Sequence, residues 1–428
     1  MKILVLNYND SFGGAAIAAY KLTQALNAHG IKADLGVVEK QQADDFVFEI
    51  PKKGRKKSIL QKIARKSANY AKRLVSPFSD RLWKNSFSTT NRILHSTNEK
   101  SIIDVDWINN SDYDVVNLHW INRDMISIPD IAKIKKPIVW TMHDTWPFCG
   151  AEHYPNVLEK DERFKYGYTK SNKPASTKGK DVCRIVWEKK KRFLSDLNIT
   201  FISPSNYEKD CIQESALFSH KKCAVIPNVI DKQVFFPQDS RAIKEIFGIP
   251  ADKKTIAFGA SYGIDDPASV KGSYHLVNAL KNLKSSDDYF LVVFGKASPA
   301  FFKNFSIPYF AAGEISNPHI LSAVYNMCDV FVCPSLIENL PFTCLESVCC
   351  HIPVTAFNVG GIPDIVEHEF NGYLAKPYDD TDLAAGIEYC LSHRDELSKN
   401  CAQIARRFDT DETVKKYYNV YEYALNNK

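Results

Sequence analysis

Short apolar runs alternate with helical patterns along most of this chain, and few folds accommodate that alternation. Parallel strands buried on both faces are near-continuous apolar runs, and helices connect them. A chain of 428 residues is also too long for a single core. We therefore predict an α/β protein with two doubly wound, Rossmann-like domains built on parallel sheets. Eight of the predicted strands are Lys2–Asn7, Val115–His119, Ile138–Met142, Ile199–Ser203, Thr255–Gly259, Phe290–Gly295, Val330–Cys333 and Val354–Phe357.

The apolar runs fall into two series. The first series ends in the segment Ala224–Asp231, and a new helix and strand series begins after Phe236–Pro237. This predicts an N-terminal domain at 1–230 and a C-terminal domain at 231–408. Residues 409–428 predict a terminal helix that packs back toward the N-terminal domain. We expect the linker to form the floor of a cleft, with ligands beyond the carboxyl ends of the strands.

The composition is that of a soluble globular protein, with 45% hydrophobic and 25% charged residues. No apolar run approaches the roughly 18 residues that a membrane span needs, and the first apolar run is too short for a signal peptide. The eleven cysteines include no Cys-x-x-Cys pair, so we expect free thiols and no zinc site. These features predict a cytoplasmic protein.

Two glutamates bracket a predicted helix start in the C-terminal half of the chain. Glu338 follows a strand in a loop, a helix begins near Pro341, and Glu346 lies inside that helix. Backbone amides around Leu340–Thr343 would lack partners, and such a helix start attracts phosphate. A loop carboxylate can orient sugar hydroxyls, and a helical carboxylate can accept both hydroxyls of a ribose. The alternative is a loop acid that caps the helix and a glutamate on the helix surface.

This stretch resembles the E-x7-E signature of family-4 retaining glycosyltransferases. The surrounding residues match in order: Tyr325, Asp329, Pro334, Ser335, Pro353, Val354, Gly360 and Gly361, although His351 stands where the family has glycine. The resemblance covers nearly all of the second domain and implies a GT-B fold, with two parallel sheets that face each other across a cleft. It implies that Glu338 contacts the donor sugar and Glu346 the nucleoside ribose. It also assigns the intervening residues to the donor site: Asn339, Leu340, Pro341 and Phe342.

Two further segments match phosphate-binding parts of the family. The Gly13-Gly14 turn after the first strand resembles the family's helix entry, where backbone without Cβ atoms approaches a phosphate or an acceptor. Lys271-Gly272 resembles the second half of the "G-R … K-G" pair, which implies a cation beside the departing diphosphate. The arginine of that pair is missing, since Ala260 or Ser261 stands in its place. The alternatives are a structural turn and an ordinary exposed lysine.

Two histidines end neighbouring predicted strands. His119 follows one strand, and His143 belongs to the run Thr141–Gly150, which resembles a loop of the colanic-acid and exopolysaccharide branch of the family. We expect His143 to bind a sugar hydroxyl or a diphosphate oxygen, and His119, Asp144 and His153 are further candidates. For the histidines, the alternative is a buried side chain held by backbone groups.

A basic stretch between Pro51 and Ser79 contains ten lysines and arginines and no acidic residue. Apolar residues fall near helical spacing within it, which predicts a basic amphipathic helix that binds anionic lipid. The residues assigned to acceptor or membrane contact are Gly13, His119, Lys52, Lys53, Arg55, Lys56 and Lys57. A solvated helix is the alternative, and no recognised module supports nucleic-acid binding.

Together with the family resemblance, these features predict a hexosyltransferase that moves a sugar from a nucleotide donor to a saccharide acceptor during bacterial surface polysaccharide synthesis. The resemblance implies that this acceptor is lipid-linked. Glu338, His143 and Lys271 are the predicted catalytic residues, and we expect retention of anomeric configuration. Asp104-Val-Asp106 imitates a metal-binding D-x-D motif, but we predict a helix-start acid pair there and no metal or cofactor. The rivals are a sugar-nucleotide epimerase on the same fold and an inactive homologue that scaffolds a membrane assembly.

Overall fold

A computed structural model describes residues 1–54, 94–157, 159–177, 179–284 and 286–427. Arg55, Lys56 and Lys57, with most of the predicted basic helix, lie outside these residues. The chain divides into two compact units. The first comprises Met1–Ile202, Lys209–Ala224 and Asn419–Lys428, and the second comprises Ser203–Glu208 and Val225–Tyr418.

The first sheet has seven strands in the order β3-β2-β1-β4-β5-β6-β7, and the pairing from β3 through β6 is parallel. Its strands are β1 (Lys2–Leu6), β2 (Lys32–Val37), β3 (Val47–Glu49), β4 (Val115–Leu118), β5 (Ile138–Thr141), β6 (Ile199–Ser203) and β7 (Cys223–Val225). The helices along this part of the chain are α1 (Gly14–Ala28), α2 (Val105–Asn110), α3 (Ile128–Ile131), α4 (Arg163–Tyr166), α5 (Val182–Leu194) and α6 (Asn206–Glu214).

The second sheet has six parallel strands in the order β10-β9-β8-β11-β12-β13. Its strands are β8 (Lys254–Ala260), β9 (Tyr289–Gly295), β10 (Tyr309–Gly313), β11 (Val330–Cys333), β12 (Val354–Phe357) and β13 (Gly372–Ala375). The helices are α7 (Ser240–Ile246), α8 (Ser273–Lys281), α9 (Pro299–Phe302), α10 (Pro318–Asn326), α11 (Phe342–Cys349), α12 (Asp380–Ser392), α13 (Arg394–Ala405) and α14 (Thr410–Asn426). Short 3-10 turns lie at Ser286–Asp288 and Ile362–Asp364.

Apolar side chains cover both faces of the second sheet. Along β11, Phe331 belongs to one buried cluster, whereas Val330 and Val332 belong to another. Successive side chains of a strand point to opposite faces, so the strand is buried on both sides. This is why its sequence is a continuous apolar run. The α/β fold class predicted from such runs, with two parallel Rossmann-like sheets, is confirmed.

The acidic pair at Asp104 and Asp106 begins a helix, as predicted. The Asp104 side chain accepts a hydrogen bond from the Asp106 amide at the start of α2. Side-chain acceptors at this position satisfy amides that have no partner inside the helix. None of the eleven cysteines, all of which lie in the described ranges, forms a disulfide.

Candidate functional site

The loop between β11 and α11 holds Glu338 in a buried ion pair. Lys271 Nζ donates to Glu338 Oε1 at 2.7 Å, and Ser335 Oγ donates to the same oxygen at 2.9 Å. Glu338 is 8% exposed. No described residue donates a hydrogen bond to its second oxygen, Oε2. The carboxylate is therefore fixed through one oxygen and keeps acceptor capacity at the other.

Lys271 remains protonated beside this carboxylate. Burial lowers the pKa of the Lys271 ammonium, but the neighbouring Glu338 carboxylate more than offsets this effect, and the pKa lies above its ordinary value. The ammonium also lies 5.5 Å from the centre of the Tyr262 ring. A cation held in this way needs no reorganisation to meet a second anion.

A glycine after Lys271 allows the two loops to approach each other. Gly272 caps α8 with a φ of 67°, and a Cβ there would lie 1.8 Å from the Pro334 carbonyl oxygen. The Leu336 amide donates to the Val270 carbonyl at 2.8 Å, which ties the same loops together. Both the backbone conformation and the close contact therefore require glycine at position 272.

Gly360 and Gly361 support the Glu338 loop from the other side. Gly360 has a φ of 56°, and a Cβ there would lie 1.9 Å from the Glu338 carbonyl oxygen. A Cβ on Gly361 would lie 1.8 Å from the Asn339 carbonyl oxygen, and the Gly361 amide donates to the Glu338 carbonyl at 3.0 Å. The paired glycines thus set the position of the loop backbone.

Four residues between the two glutamates were predicted to line the donor site. Among them, Asn339 is held by hydrogen bonds to other side chains of the protein. Its side chain accepts from Ser205 Oγ at 2.6 Å and donates to Glu208. Pro341 caps α11 without a side-chain hydrogen bond, its carbonyl accepts from the next turn, and Phe342 begins the helix. The amides of Leu340 and Thr343 have no acceptor among the described residues. They are therefore available to an anion, and the anion-binding role expected from the sequence stays a prediction.

Glu346 is buried inside α11 and is 6% exposed. Tyr325 donates to its Oε2 at 3.0 Å. Burial, followed by the Glu346 carboxylate, raises the pKa of the Tyr325 phenol well above its ordinary value, so the phenol stays a donor. The alternative reading, a capping acid and a glutamate on the helix surface, is wrong, because Glu338 does not cap α11 and Glu346 is buried.

Two motif positions have roles that differ from substrate contact. Asp329 accepts from the amide and the hydroxyl of Thr255, each at 2.8 Å, and ties β8 to the start of β11. Ala260 is 7% exposed at the end of β8, whereas Ser261 is exposed. Only Ser261 could therefore carry a long side chain to solvent at the place of the missing arginine.

In the first unit, the two predicted histidines are in direct contact. His119 Nδ1 and His143 Nε2 are 2.8 Å apart, and both residues follow the carboxyl ends of neighbouring strands. His119 Nε2 accepts from Asn117 Nδ2 at 3.0 Å. The same amide nitrogen contacts Tyr421 Oη at 3.0 Å. Asn117 and Tyr421 were not singled out from the sequence.

Both imidazoles are neutral at physiological pH. Burial lowers the pKa of His143 to about 4, against an opposing effect of Asp144. Burial and the neighbouring His143 place the pKa of His119 well below its ordinary value. The pair therefore acts through hydrogen bonds rather than through positive charge.

Asp144 and His153, which had weaker assignments, are bonded to each other. His153 Nδ1 lies 2.6 Å from Asp144 Oδ2, which also accepts from Trp120 Nε1 at 3.1 Å. Asp144 Oδ1 accepts from the Trp146 amide at 3.0 Å. Burial raises the pKa of Asp144, but the neighbouring His153 more than offsets this and lowers it. These contacts hold the loop that carries His143.

Gly13 and Gly14 stand at the start of α1, where the sequence placed a helix entry. Gly13 caps the helix with a φ of 90°, which explains glycine at that position. A Cβ on either residue would meet no atom within 4 Å. The space above this helix start is therefore open within the described residues.

Lys52 and Lys53 do not belong to a helix, so the predicted amphipathic helix does not include them. Lys52 forms an antiparallel bridge with Ile103, and the Lys53 amide donates to the Ile102 carbonyl at 2.9 Å. Their ammonium groups lie 3.6 Å from Glu49 and 3.5 Å from Asp130, respectively. Each of these two ammonium groups therefore lies beside an acidic side chain.

Within the described ranges, no helix combines the length and apolar composition required to cross a membrane. The same residues contain no group of three or more His, Cys, Asp or Glu side chains placed to hold a metal ion.

Family models match both parts of the chain. The model described as Glycosyltransferase Family 4 matches residues 12–234, just over half of the chain. The chain belongs to glycosyltransferase family 4. The model described as Glycosyl transferases group 1 matches residues 239–408 of this family member, the part that carries Glu338, Glu346 and Lys271.

Curated relatives resemble part of this family-4 chain. It is 26% identical over 215 residues to N-acetyl-alpha-D-glucosaminyl L-malate synthase of Bacillus anthracis, covering 47% of the chain and 54% of the relative. It is 26% identical over 239 residues to N,N'-diacetylbacillosaminyl-diphospho-undecaprenol alpha-1,3-N-acetylgalactosaminyltransferase of Campylobacter jejuni, covering 53% and 60%. The chain thus spans little more than half the length of these relatives.

Solved structures share the fold over the whole chain. HepE of Anabaena, in complex with UDP and glucose, matches with a TM-score of 0.65, 16% identity and 99% coverage of both chains. Sucrose-phosphate synthase of Thermosynechococcus elongatus matches with a TM-score of 0.65, 15% identity and 100% coverage of both. At these identities the likeness concerns the GT-B fold.

Proposed function

We propose that the chain transfers a hexose from a nucleoside diphosphate sugar to a hydroxyl group of a saccharide acceptor, with retention of the anomeric configuration. The observation that carries this proposal is the Lys271–Glu338 pair beside the open amides of α11. A cation, a carboxylate and a helix start without a side-chain cap thus lie close together, and we propose that they bind the diphosphate and the donor sugar. The fold shared with a protein that binds UDP and glucose supports the nucleotide assignment.

In the proposed reaction, the bond between the anomeric carbon and the diphosphate oxygen breaks and the sugar becomes oxocarbenium-like. Negative charge moves onto the diphosphate, where Lys271 and the amides of Leu340 and Thr343 stabilise it. The acceptor oxygen attacks from the face that the diphosphate leaves. Its proton passes to a departing phosphate oxygen, so that no protein base is required. In this proposed mechanism Lys271 supplies the positive charge beside the diphosphate, and no metal ion is required.

Each carboxylate has its own part in this proposal. Glu338 Oε2, which receives no hydrogen bond from a described residue, accepts one from a hydroxyl of the donor sugar. Glu346 accepts the ribose hydroxyls and is held in place by Tyr325. The neutral His143 contributes a hydrogen bond to a substrate oxygen.

The acceptor that we propose is a lipid-linked saccharide used in surface polysaccharide synthesis. Support comes from the Campylobacter jejuni relative, whose name specifies a diphospho-undecaprenol acceptor. The basic stretch that contains Lys52 through Lys57 would then contact anionic lipid. Replacing the five basic residues from Lys52 to Lys57 by glutamine is expected to abolish sedimentation with vesicles of anionic phospholipid, and unchanged sedimentation would reject this part of the proposal.

Lys271→Met tests the transferase proposal, with Lys281→Met as its matched control. Lys281 is an exposed lysine at the other end of α8. A thermal-shift panel of nucleotide sugars first identifies the donor. Because one stabilising donor group is worth about 100-fold or more in turnover, Lys271→Met should lose at least that much and the control nothing. Lys271→Met leaves the Glu338 carboxylate without its partner, so urea titrations of both variants show whether lost turnover reflects lost stability.

Three outcomes would overturn this proposal. Full turnover by Lys271→Met would show that the Lys271 ammonium takes no part in the reaction. Isomerised sugar after incubation of the donor without any acceptor would instead indicate an epimerase. Absence of nucleotide binding by the native chain in calorimetry would support a non-catalytic scaffold.

A further inference from the structure

A buried hydrogen-bond chain connects the last helix to His143. Tyr421, in α14, contacts Asn117 on β4 at 3.0 Å, Asn117 contacts His119, and His119 contacts His143 at 2.8 Å. Asn117 and Tyr421 are fully buried, and His119 is 3% exposed. Water therefore does not compete for these bonds, so each partner must be satisfied by the next.

The orientation of the Asn117 side-chain amide determines which atom is the donor in each hydrogen bond of this chain of hydrogen bonds. Its Oδ1 accepts from Thr141 Oγ1 at 3.1 Å, and its Nδ2 serves Tyr421 Oη and His119 Nε2. An amide nitrogen can only donate, so His119 Nε2 must accept. The proton of a neutral His119 then lies on Nδ1 and is donated to His143 Nε2. A neutral His143 consequently carries its own proton on Nδ1.

We propose that Asn117 and Tyr421 are positioning residues that make His143 Nδ1–H a hydrogen-bond donor to a substrate oxygen. No described residue accepts from this nitrogen. If the Asn117 side-chain amide were turned by 180°, every hydrogen bond between Tyr421 and His143 would change its direction. His143 Nδ1 would then carry a lone pair instead of a proton. That lone pair would repel a phosphate oxygen of the donor, which carries no proton to share. The substrate role rests on the proposed transferase function, whereas the direction of the chain does not.

The direction is measurable without turnover. In protein labelled with 15N-histidine, two-bond nitrogen–proton correlations distinguish the two neutral tautomers of each imidazole. Signals of His119 and His143 are assigned with His119→Gln and His143→Gln. We expect both residues in the Nδ1–H tautomer at neutral pH. The Nε2–H tautomer at His143 would overturn the inference.

Tyr421→Phe removes one hydroxyl group and leaves the ring in place. Tyr423→Phe is the matched control, because Tyr423 lies in the same helix, is 37% exposed and contacts Lys222. In Tyr421→Phe the Asn117 amide loses one of its acceptors, so we expect a mixture of tautomers at His119 and His143. Thr141→Val, which removes the donor to Oδ1, should also produce a mixture. Native tautomers in both variants would contradict the proposed positioning.

Turnover provides the second readout. Loss of one neutral hydrogen bond corresponds to about a fivefold decrease, so Tyr421→Phe should lower kcat by about that factor and leave the KM for the donor unchanged. Because Tyr421 acts through His143, the same substitution in a His143→Gln background should have no further effect. Additive losses would show a structural role alone. The protein could show the predicted tautomers and yet have no transferase activity. In that case the proposed function would be rejected, whereas the assignment of the protons on His119 and His143 would stand.

Discussion

Replacing Gly272 by alanine tests whether the contact between two loops builds the donor site. Gly272 has a φ of 67°, a conformation that costs an L-residue about 1–2 kcal/mol. Its new Cβ would also lie 1.8 Å from the Pro334 carbonyl oxygen, which is backbone and cannot rotate away. Overpacking of this kind adds about 1–3 kcal/mol. The expected loss in the free energy of unfolding is therefore about 2–5 kcal/mol.

Gly248→Ala separates the cost of the steric clash from the cost of the left-handed backbone conformation. Gly248 has a φ of 66° and belongs to the same unit, but a Cβ there would meet no atom within 4 Å. This variant should lose only the conformational part, about 1–2 kcal/mol. Calorimetric unfolding of the two variants measures the difference directly.

The two variants should also differ in their affinity for the nucleoside diphosphate. Relief of the clash must move Lys271 or the Pro334 loop, which separates the ammonium from Glu338. Affinity for the nucleoside diphosphate should then fall at least about 10-fold in Gly272→Ala, equivalent to 1.4 kcal/mol, and stay native in Gly248→Ala. Equal stability and equal affinity in the two variants would refute the argument, because both would then pay only for the backbone conformation.

Two further predictions concern a buried phenol and a buried imidazole. Tyr325→Phe leaves Glu346 without its phenol donor and should weaken nucleotide binding by about fivefold in calorimetry, and unchanged affinity would separate Glu346 from the ribose. His143 has a pKa of about 4, whereas an unfolded imidazole has one near 6.5, so the unfolded state binds the extra proton between these values. The free energy of unfolding should therefore fall by up to about 3 kcal/mol as pH decreases from about 6.5 to 4. In urea titrations His143→Gln should reduce this slope, and an unaltered slope would contradict the pKa.

The sequence predicted the central strands well because burial on both faces leaves a continuous apolar run. Val330–Cys333 and Val354–Phe357 have the predicted bounds. The edge strand Tyr309–Gly313 was not among the predicted strands, and its residues alternate between exposed and partly buried. Such a strand depends on pairing with its neighbour rather than on its own apolar content, so its pattern is weak.

The site residues were predictable where a short motif carried them and not where contacts span the chain. Glu338 and Glu346 stand out through their spacing and surroundings. The bond between Lys271 and Glu338 joins residues 67 positions apart, and the bond between Asn117 and Tyr421 joins residues 304 positions apart. No local pattern marks such partners. The roles of Asn117 and Tyr421 therefore emerge only from the fold.

The charge balance of the donor site leads to a last prediction. Lys271 is the cation that we propose for the donor site, and Glu338 partly neutralises it. An entering diphosphate would meet this partly neutralised ammonium and the amides of α11, but not the arginine of the family pattern, in whose place Ser261 stands. Ser261 is exposed directly after β8, at the carboxyl edge of the second sheet.

Ser261→Arg should restore the missing cation and strengthen nucleoside diphosphate binding. A charge-assisted bond to phosphate is worth about 1.5–3 kcal/mol, which corresponds to at least about 10-fold in affinity. Ser306→Arg is the matched control, because Ser306 is exposed but precedes β10 at the opposite edge of the sheet. The gain should diminish as salt screens the new charge. An equal gain from both arginines would indicate non-specific attraction, and no gain at position 261 would place the diphosphate elsewhere than beside Lys271.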